Sequence, residues 1–453
     1  MSQDLHQFIS NHGITKIKIG VVDIDGILRG KYVSMEKFLS AVEKGFGFCD
    51  VIFGWDSADE LYEDSGVTVT GWHTGYPDTM ARIDTDSGRL VPWEPGTGLF
   101  LADLYTRKGG PLEVSPRQLM QKVVAKANEM GFAPKMSSEY EFFIFREDPH
   151  TLREKSYKNM TPLTPGMFGY SVVRASSAAD LVHAVMDQMR EFGITLEGLH
   201  TETGPGVYET AIAYDEALVA ADHAALFKTA MKEIAARHGV IVTFMARWSP
   251  ELPGCSGHVH QSLWSSDGRI NLFYDEHHAE NMSTTMRHYI GGQLALMPEL
   301  TVLAAPTVNS YKRLVPGAWA PTSASWGIEN RTSAIRAIPF GESSTRVENR
   351  LPGADANPYL AMAGSLAAGL YGIQHKIEPS EPCRGNAYAA DSQLGALPAT
   401  LEEATDRFKT SAVARELFGD AFVDHFAATR EWEVRQFRKS VTDWELQRYF
   451  EIT

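Results

Sequence analysis

Cysteine is scarce in this chain: Cys49, Cys255 and Cys383 are the only three in 453 residues, odd in number and far apart. That excludes a disulfide scaffold and the paired spacings of zinc modules, and a reducing cytoplasm is the expected setting. Long apolar runs are missing as well; none approaches the ~20 residues that span a bilayer. Positive charge is in deficit, with 42 Lys and Arg against 57 Asp and Glu, a net charge of −15 and a pI near 5.5. A nucleic-acid surface is therefore not expected. The start, Met1-Ser-Gln-Asp, has no basic segment leading into an apolar one, so no signal peptide is expected. Neither a Gly-x4-Gly-Lys-Ser/Thr phosphate loop nor a strand-to-helix Gly-x-Gly-x-x-Gly occurs, and no internal repeat, low-complexity tract or coiled coil is found.

What is present is a soluble globular composition, 43% hydrophobic and 22% charged, long enough for two domains with ample core. Ile14 to Val33 reads as a hairpin turning at Asp25-Gly26. Val21-Val-Asp-Ile-Asp25 also resembles the nucleophile strand of haloacid-dehalogenase phosphatases, but Asp-Gly between two apolar runs is foremost a turn signal. Residues 34–107 mix short apolar runs with Gly, Asp and Trp, without long helical periodicity. Residues 1–107 are read as a small strand-rich domain, Lys108-Gly-Gly-Pro111 as the boundary, and 108–453 as the second domain. Helices are expected at about Pro116–Met130, Ala178–Phe192 and Glu216–His238, and near 279–296, 357–376, 400–418 and 421–439. Val240 to Met245 reads as a buried strand.

Three strand-like stretches carry polar faces at period two. Glu139 and Glu141 share one side of Met136 to Phe145, opposite Tyr140, Phe142 and Ile144. His258 and His260 share a side of the stretch after Gly257. Arg346, Glu348 and Arg350 form the third set, inside a region that also carries Arg313, Arg331 and Arg336. A Gly- and Pro-rich stretch from His200 to Glu209, read by itself as a loop, adds Glu202 and Glu209. Carboxylates gathered like this repel unless divalent cations lie between them. Oxygen-rich sets favour Mg²⁺ or Mn²⁺, and arginines suit phosphate oxygens. The residues alone therefore point to metal-dependent phosphoryl transfer without a P-loop. They leave the acceptor open.

At these positions the chain resembles the glutamine synthetase family over nearly its whole length. The matches are Glu139-Tyr-Glu141-Phe-Phe, His200-Thr-Glu202 through Glu209, Thr243-Phe-Met245, His258-Val-His260-Gln-Ser-Leu and Asn309-Ser-Tyr-Lys-Arg-Leu-Val-Pro-Gly317. Asn330-Arg331, Ile335-Arg336, Arg346-Val-Glu348-Asn-Arg350 and Ala356-Asn-Pro-Tyr359 continue the series. The resemblance implies an α+β fold: a β-grasp amino-terminal domain, and a catalytic domain whose antiparallel sheet forms a funnel ringed by helices. It implies Glu141, Glu202 and Glu209 on one metal, and Glu139, His258 and Glu348 on a second, with two or three Mg²⁺ or Mn²⁺ per site. His260, Ser262, Arg336 and Arg346 would face ATP; Arg313, Arg350 and Gly254 would bind glutamate; Arg331 would stabilise the transferring phosphoryl group. A cytoplasmic homo-oligomer is implied, a dodecamer of two hexameric rings with sites between subunits.

The sequence departs from the family's ammonia-using members at the flap. There a glutamate follows Pro-Gly-aromatic, whereas here Val315-Pro-Gly-Ala-Trp319 puts tryptophan in the acid's place. Tryptophan takes no proton and offers an apolar face for stacking or cation–π contact. The family's Asp-Gly-Ser-Ser motif is not intact either. Cys49-Asp50 to Trp55-Asp56-Ser57 occupies that region, so Asp50 or Asp56, or else Glu60 or Glu63, is left to serve as base. The resemblance is closest to the branch that joins glutamate to amines and polyamines, and the expected reaction is ATP-dependent synthesis of a γ-glutamyl amine. An ordinary ammonia-using glutamine synthetase and a catalytically silent oligomer are the alternatives.

Overall fold

The computed structural model describes residues 3–389 and 395–452, so Met1 and Ser2 of the expected leader-free start lie outside the described residues. Two sheets organise the chain. The first is built from β1 (Lys16–Val22), β2 (Leu28–Ser34), β3 (Phe46–Cys49), β4 (Asp78–Ile83), β5 (Arg89–Leu90) and β6 (Thr97–Tyr105). Its order is β2-β1-β6-β4-β3, with β5 on β6, and β1 runs parallel to β6. The β1–β2 hairpin turns through Gly26, whose φ of 82° is open to glycine at little cost. Burying Ile17, Ile19, Val21 and Phe100 ties this sheet into the molecule's main core.

This region also holds two short helices that were not expected: Gln3–Asn11, ahead of the hairpin, and Met35–Lys44, in the stretch read as lacking long helical periodicity. The second had a local signal. Ser34 caps it by accepting from the Lys37 amide, and Phe38 and Ala41 are buried three residues apart.

The second sheet is organised on β7 (Phe132–Phe145), which is flanked by β8 (Leu196–Thr201), β9 (Val207–Ile212), β10 (Asp215–Glu216), β11 (Ile241–Thr243), β12 (Gly257–Ser265), β13 (Trp326–Ile328), β14 (Ile335–Ile338) and β15 (Arg346–Asn349). The order is β13-β14-β15-β12-β7-β9-β8, with β10 and β11 also on β7. Pairing is antiparallel except between β13 and β14 at the edge, which are parallel. One face of β7 buries Tyr140 and Phe142 against Phe227 of the helix Ala217–Arg237. The apolar helices Thr284–Ala304 and Pro358–His375 pack together behind the sheet. The opposite face carries the charges.

The expected helix over 400–418 is broken at Ser411 into Leu401–Thr410 and Ala412–Phe418, because Ser411 caps the second piece. A further helix, Asp443–Tyr449, carries a Thr442/Glu445 capping box that the sequence reading passed over. No described helix is long and apolar enough to cross a membrane.

A buried arginine ties the first sheet to the helix Ala217–Arg237, which packs on the second. Arg117 binds Asp222 through two bonds of 2.8 and 2.9 Å, Asp103 of β6 at 2.9 Å and Asp84 at 2.6 Å. Tyr359 adds its hydroxyl to Asp222 at 2.6 Å. The planar guanidinium fork allows one side chain to satisfy three carboxylates.

Candidate active site

Register brings the three polar strand faces together. On paired strands His258 stands opposite Glu139, Glu141 opposite Glu209, His260 opposite Glu348, and Arg336 opposite Glu348. A cavity of about 360 Å³ opens onto them, lined by carboxylates of Glu139, Glu141, Glu202, Glu209 and Glu348 together with His258, Arg313, Arg331, Arg336, Arg350, Gly254 and Trp319. A second cavity of about 260 Å³ adjoins it at Glu139 and holds His260, Ser262 and Arg346.

Two groupings of donor atoms stand out. His258 Nδ1 lies 3.2 Å from Glu139 and 3.3 Å from Glu348, and donor atoms of Glu139, His260 and Glu348 fall within 4.8 Å of one another. On the other side, donor atoms of His200, Glu202 and Glu209 fall within 4.8 Å of one another. Glu141 faces Glu209 across the β7–β9 ladder and accepts the Ser256 amide at 2.6 Å. The loop expected over His200–Glu209 is instead a hairpin of β8 and β9, which sets His200 opposite Glu209. Sequence reasoning gave His200 no role. The available signal was its spacing, two residues before Glu202, on one side of an extended strand.

The electrostatics have one outlier. Burial pushes the Glu209 carboxyl up, and repulsion from Glu139, Glu141 and Glu202 adds to it, to about 10. Its neighbours go the other way. Burial opposes ionisation of Glu139, but the adjacent His258 and His260 rings outweigh it and hold that carboxyl far below the usual range. Glu348 is likewise held at about 2, its burial outweighed by His258 and Arg350. An acid pushed up by burial and then further by the acids around it is a place where a divalent cation is the natural counter-charge. The oxygen-rich donors, with imidazole and no thiolate, suit a hard ion such as Mg²⁺ or Mn²⁺.

The arginines divide by burial. Arg313 is fully enclosed, donating to the carbonyls of Leu351 at 2.9 Å and Arg350 at 3.1 Å. Gly254 makes room for it: a Cβ there would meet the Arg313 side chain at 2.9 Å and the Ala246 carbonyl at 2.4 Å. Arg336 and Arg350 bracket Glu348. Arg346 donates to His260 Nδ1 at 3.3 Å, while Arg331 stands exposed at the cavity wall. These positively charged side chains surround the space above the carboxylates, an arrangement that can hold and neutralise phosphate oxygens.

Asp50 and Asp56 are not brought to this cavity by the chain itself. Asp50 is buried and accepts the Thr70 hydroxyl at 2.6 Å, and burial raises its carboxyl above the ordinary value. Asp56 accepts the amides of Ala58 and Glu60 and the Trp432 indole at 2.9 Å. Glu60 and Glu63 are exposed on the same small domain, and neither lines the cavity.

Comparison with known proteins gives this geometry a context. Residues 113–449 match the glutamine synthetase catalytic domain. A type-1 glutamine synthetase of Dictyostelium discoideum is 47% identical over 96% of this chain and 84% of its own length. A glutamate–isopropylamine ligase of a Pseudomonas species is 41% identical over 99% of this chain and 97% of its own. A gamma-glutamylethanolamide synthetase of Streptomyces coelicolor is 38% identical over 99% and 95%. Among solved structures, a GmaS–ADP complex superposes with a TM-score of 0.87 at 29% identity, covering 99% of this chain and all of that one.

Proposed function

The chain belongs to the glutamine synthetase family, and from that premise we propose that it joins the γ-carboxylate of glutamate to an amine other than ammonia, at the expense of ATP. It is an ATP-dependent carbon–nitrogen ligase. One observation carries the choice of acceptor. Five acids, His258 and four arginines line one cavity, and Trp319 lines it too, at the flap position where the family resemblance implies a glutamate in ammonia-using members.

In this reading Arg313, Arg350 and the backbone at Gly254 hold glutamate, and His260, Ser262, Arg336 and Arg346 hold ATP. Glu141, Glu202 and Glu209 form one cation set and Glu139, His258 and Glu348 the other. His200 buttresses the first set at 3.2 Å from Glu202. Bound divalent cations supply charge neutralisation between the carboxylates and the nucleotide phosphates. A γ-carboxylate oxygen of glutamate attacks the γ-phosphorus of ATP, and the bond to the β–γ bridging oxygen breaks, releasing ADP. Exposed Arg331 meets the charge that develops on the transferring group. The amine nitrogen then attacks the acyl carbon, inorganic phosphate leaves, and the nitrogen gives up a proton.

Trp319 cannot accept that proton, so an alkylamine, whose pKa is about 10, needs a base from elsewhere. Asp50, Asp56, Glu60 and Glu63 serve only if a neighbouring subunit presents them, as in the double-ring dodecamer we assign to this cytoplasmic enzyme. We place the domain boundary at residues 107–108.

Phosphate release with ATP, Mg²⁺ and glutamate tests the proposal against ammonia, alkylamines, polyamines, ethanolamine and anilines. The proposal expects an organic amine to turn over far better than ammonia. Ammonia as the best acceptor would instead support an ordinary glutamine synthetase, as the Dictyostelium relative is named.

A further inference from the structure

Two pieces of chain meet where the cavity holds Gly254 and Arg313. Gly254 lies late in the connection between β11 and β12, and Arg313 ends the short helix Ser310–Arg313. The start of that same connection, Ala246-Arg247-Trp248, holds both. The Ala246 carbonyl accepts the Cys255 amide at 2.8 Å. The Trp248 ring packs edge-on against Phe143 and Phe145 of β7, with centroids 5.6 and 4.9 Å apart, and roots the stretch in the sheet.

The contacts concentrate on Arg247, which is half-buried. The side-chain amide of Asn309 accepts the Arg247 N–H at 2.8 Å and donates to the Arg247 carbonyl at 2.7 Å, so the helix is tied to the main chain here by two bonds. The Arg247 guanidinium donates to three main-chain carbonyls at once: Ser249 at 3.2 Å, Pro250 at 2.8 Å and Lys312 at 2.7 Å. The first two belong to the run of chain that leads to Gly254, and the third immediately precedes Arg313. A planar fork of five donors reaches all three, whereas a lysine ammonium is a single point. Neither Arg247 nor Asn309 lines the cavity, so both act on it through other residues. The junction leaves little slack, since a Cβ on Gly254 would fall 2.9 Å from the Arg313 side chain. Any slip of the run against the helix moves the Gly254 backbone relative to the Arg313 fork, and a ligand that touches both loses alignment with one of them.

Resting on the ligase reading above, we propose that Arg247 is a positioning residue for glutamate: its guanidinium locks the run that carries Gly254 to the helix that carries Arg313, so that both meet the same substrate. The nucleotide groups, His260, Ser262, Arg336 and Arg346, stand on β12, β14 and β15 and do not depend on this clasp. The substrate effect of losing it is therefore one-sided.

The test is steady-state kinetics of the intact enzyme with ATP, Mg²⁺, glutamate and whichever of the amines named above turns over fastest. It compares wild type with Arg247→Ala and Arg247→Lys. In Arg247→Ala the KM for glutamate should rise about tenfold to a hundredfold, the scale of a lost charged clasp, while the KM for ATP changes by less than about twofold. Arg247→Lys should recover only part of the loss, because an ammonium cannot span the three carbonyls. Millimolar guanidinium chloride, too dilute to denature, should draw the glutamate KM of Arg247→Ala back towards wild type by refilling the clasp, and sodium chloride at the same concentration should not. If Arg247→Ala fails to fold, the same split between the two KM values is read on Arg247→Lys. A glutamate KM that the substitution leaves unchanged overturns the inference while the ligase reading stands. So does a joint rise of both KM values that guanidinium does not reverse, the mark of a merely loosened fold. Wild-type enzyme that consumes glutamate with none of the amines overturns both.

Discussion

If Glu209 keeps its proton because burial, and then the crowding of Glu139, Glu141 and Glu202, disfavours its charge, then cation binding must expel that proton. The perturbation is Mg²⁺ added to the metal-free protein between pH 6.5 and 8.5. In this window Glu202, which shares a set with Glu209, is already ionised, since its hydrogen bond with His200 holds its carboxyl below the ordinary value. Glu209 is the acid whose carboxyl is pushed well above the ordinary range, so its proton is the one at stake. Release of one proton per cation makes the apparent affinity rise about tenfold per pH unit. Calorimetric titration in buffers of different ionisation enthalpy counts the protons directly. Glu209→Gln removes the titrating group, so the slope should fall towards zero even though some affinity is lost. Mg²⁺ binding with no proton release in the wild-type protein, or an undiminished slope in the variant, would refute the argument that these carboxylates share one cation.

Other perturbations probe separate parts of the account. Trp319→Glu restores an acid at the flap and should raise kcat/KM for ammonia relative to organic amines by at least about tenfold, as a charged hydrogen bond of roughly 1.5–3 kcal/mol would; an unchanged ratio would place the selectivity elsewhere. Arg117→Met strands Asp222 and Asp103 in a buried setting and should destabilise the fold by about 3–5 kcal/mol in denaturant unfolding. A loss below about 1 kcal/mol would mean the tie adds little. His425 is buried with neither ring nitrogen partnered, and burial lowers its pKa to about 3, with Arg430 adding to the effect. The unfolded chain protonates this ring near 6.5, so its contribution is intact above that pH and is lost as pH falls towards 3, about 2 kcal/mol by pH 5. His425→Leu should remove that part of the difference between unfolding free energies at pH 7 and pH 5; an equal difference in both proteins would count against it.

Much of the site was legible because strands repeat every two residues. Glu139 with Glu141, and His258 with His260, announce a shared face before any partner is known, and the β7–β12 register only joins them. The two apolar helices behind the sheet, expected near 279–296 and 357–376, run Thr284–Ala304 and Pro358–His375. What escaped was governed by contacts distant in sequence or by short elements. Helix Met35–Lys44 makes fewer than three turns, and its burial depends on the sheet it covers. His200 joined Glu202 and Glu209 because β8 pairs with β9, a register that Gly204, Pro205 and Gly206 disguised as a loop. Asp50 lies in the stretch that stands for a ligand motif in relatives, yet its carboxylate is turned to Thr70, which no spacing rule could reveal. Tyr170, which also lines the cavity, carried no signal in the sequence, since its placement depends on a bond from its amide to the Thr201 carbonyl, thirty-one residues away.

The most direct measurement is a competition. The purified enzyme receives ATP, Mg²⁺, glutamate and equal concentrations of ammonia and isopropylamine, and the products are weighed by mass spectrometry. The account predicts γ-glutamylisopropylamide in large excess over glutamine. Glutamine as the main product would contradict the assignment of Trp319 as the residue that turned this site from ammonia to an organic amine.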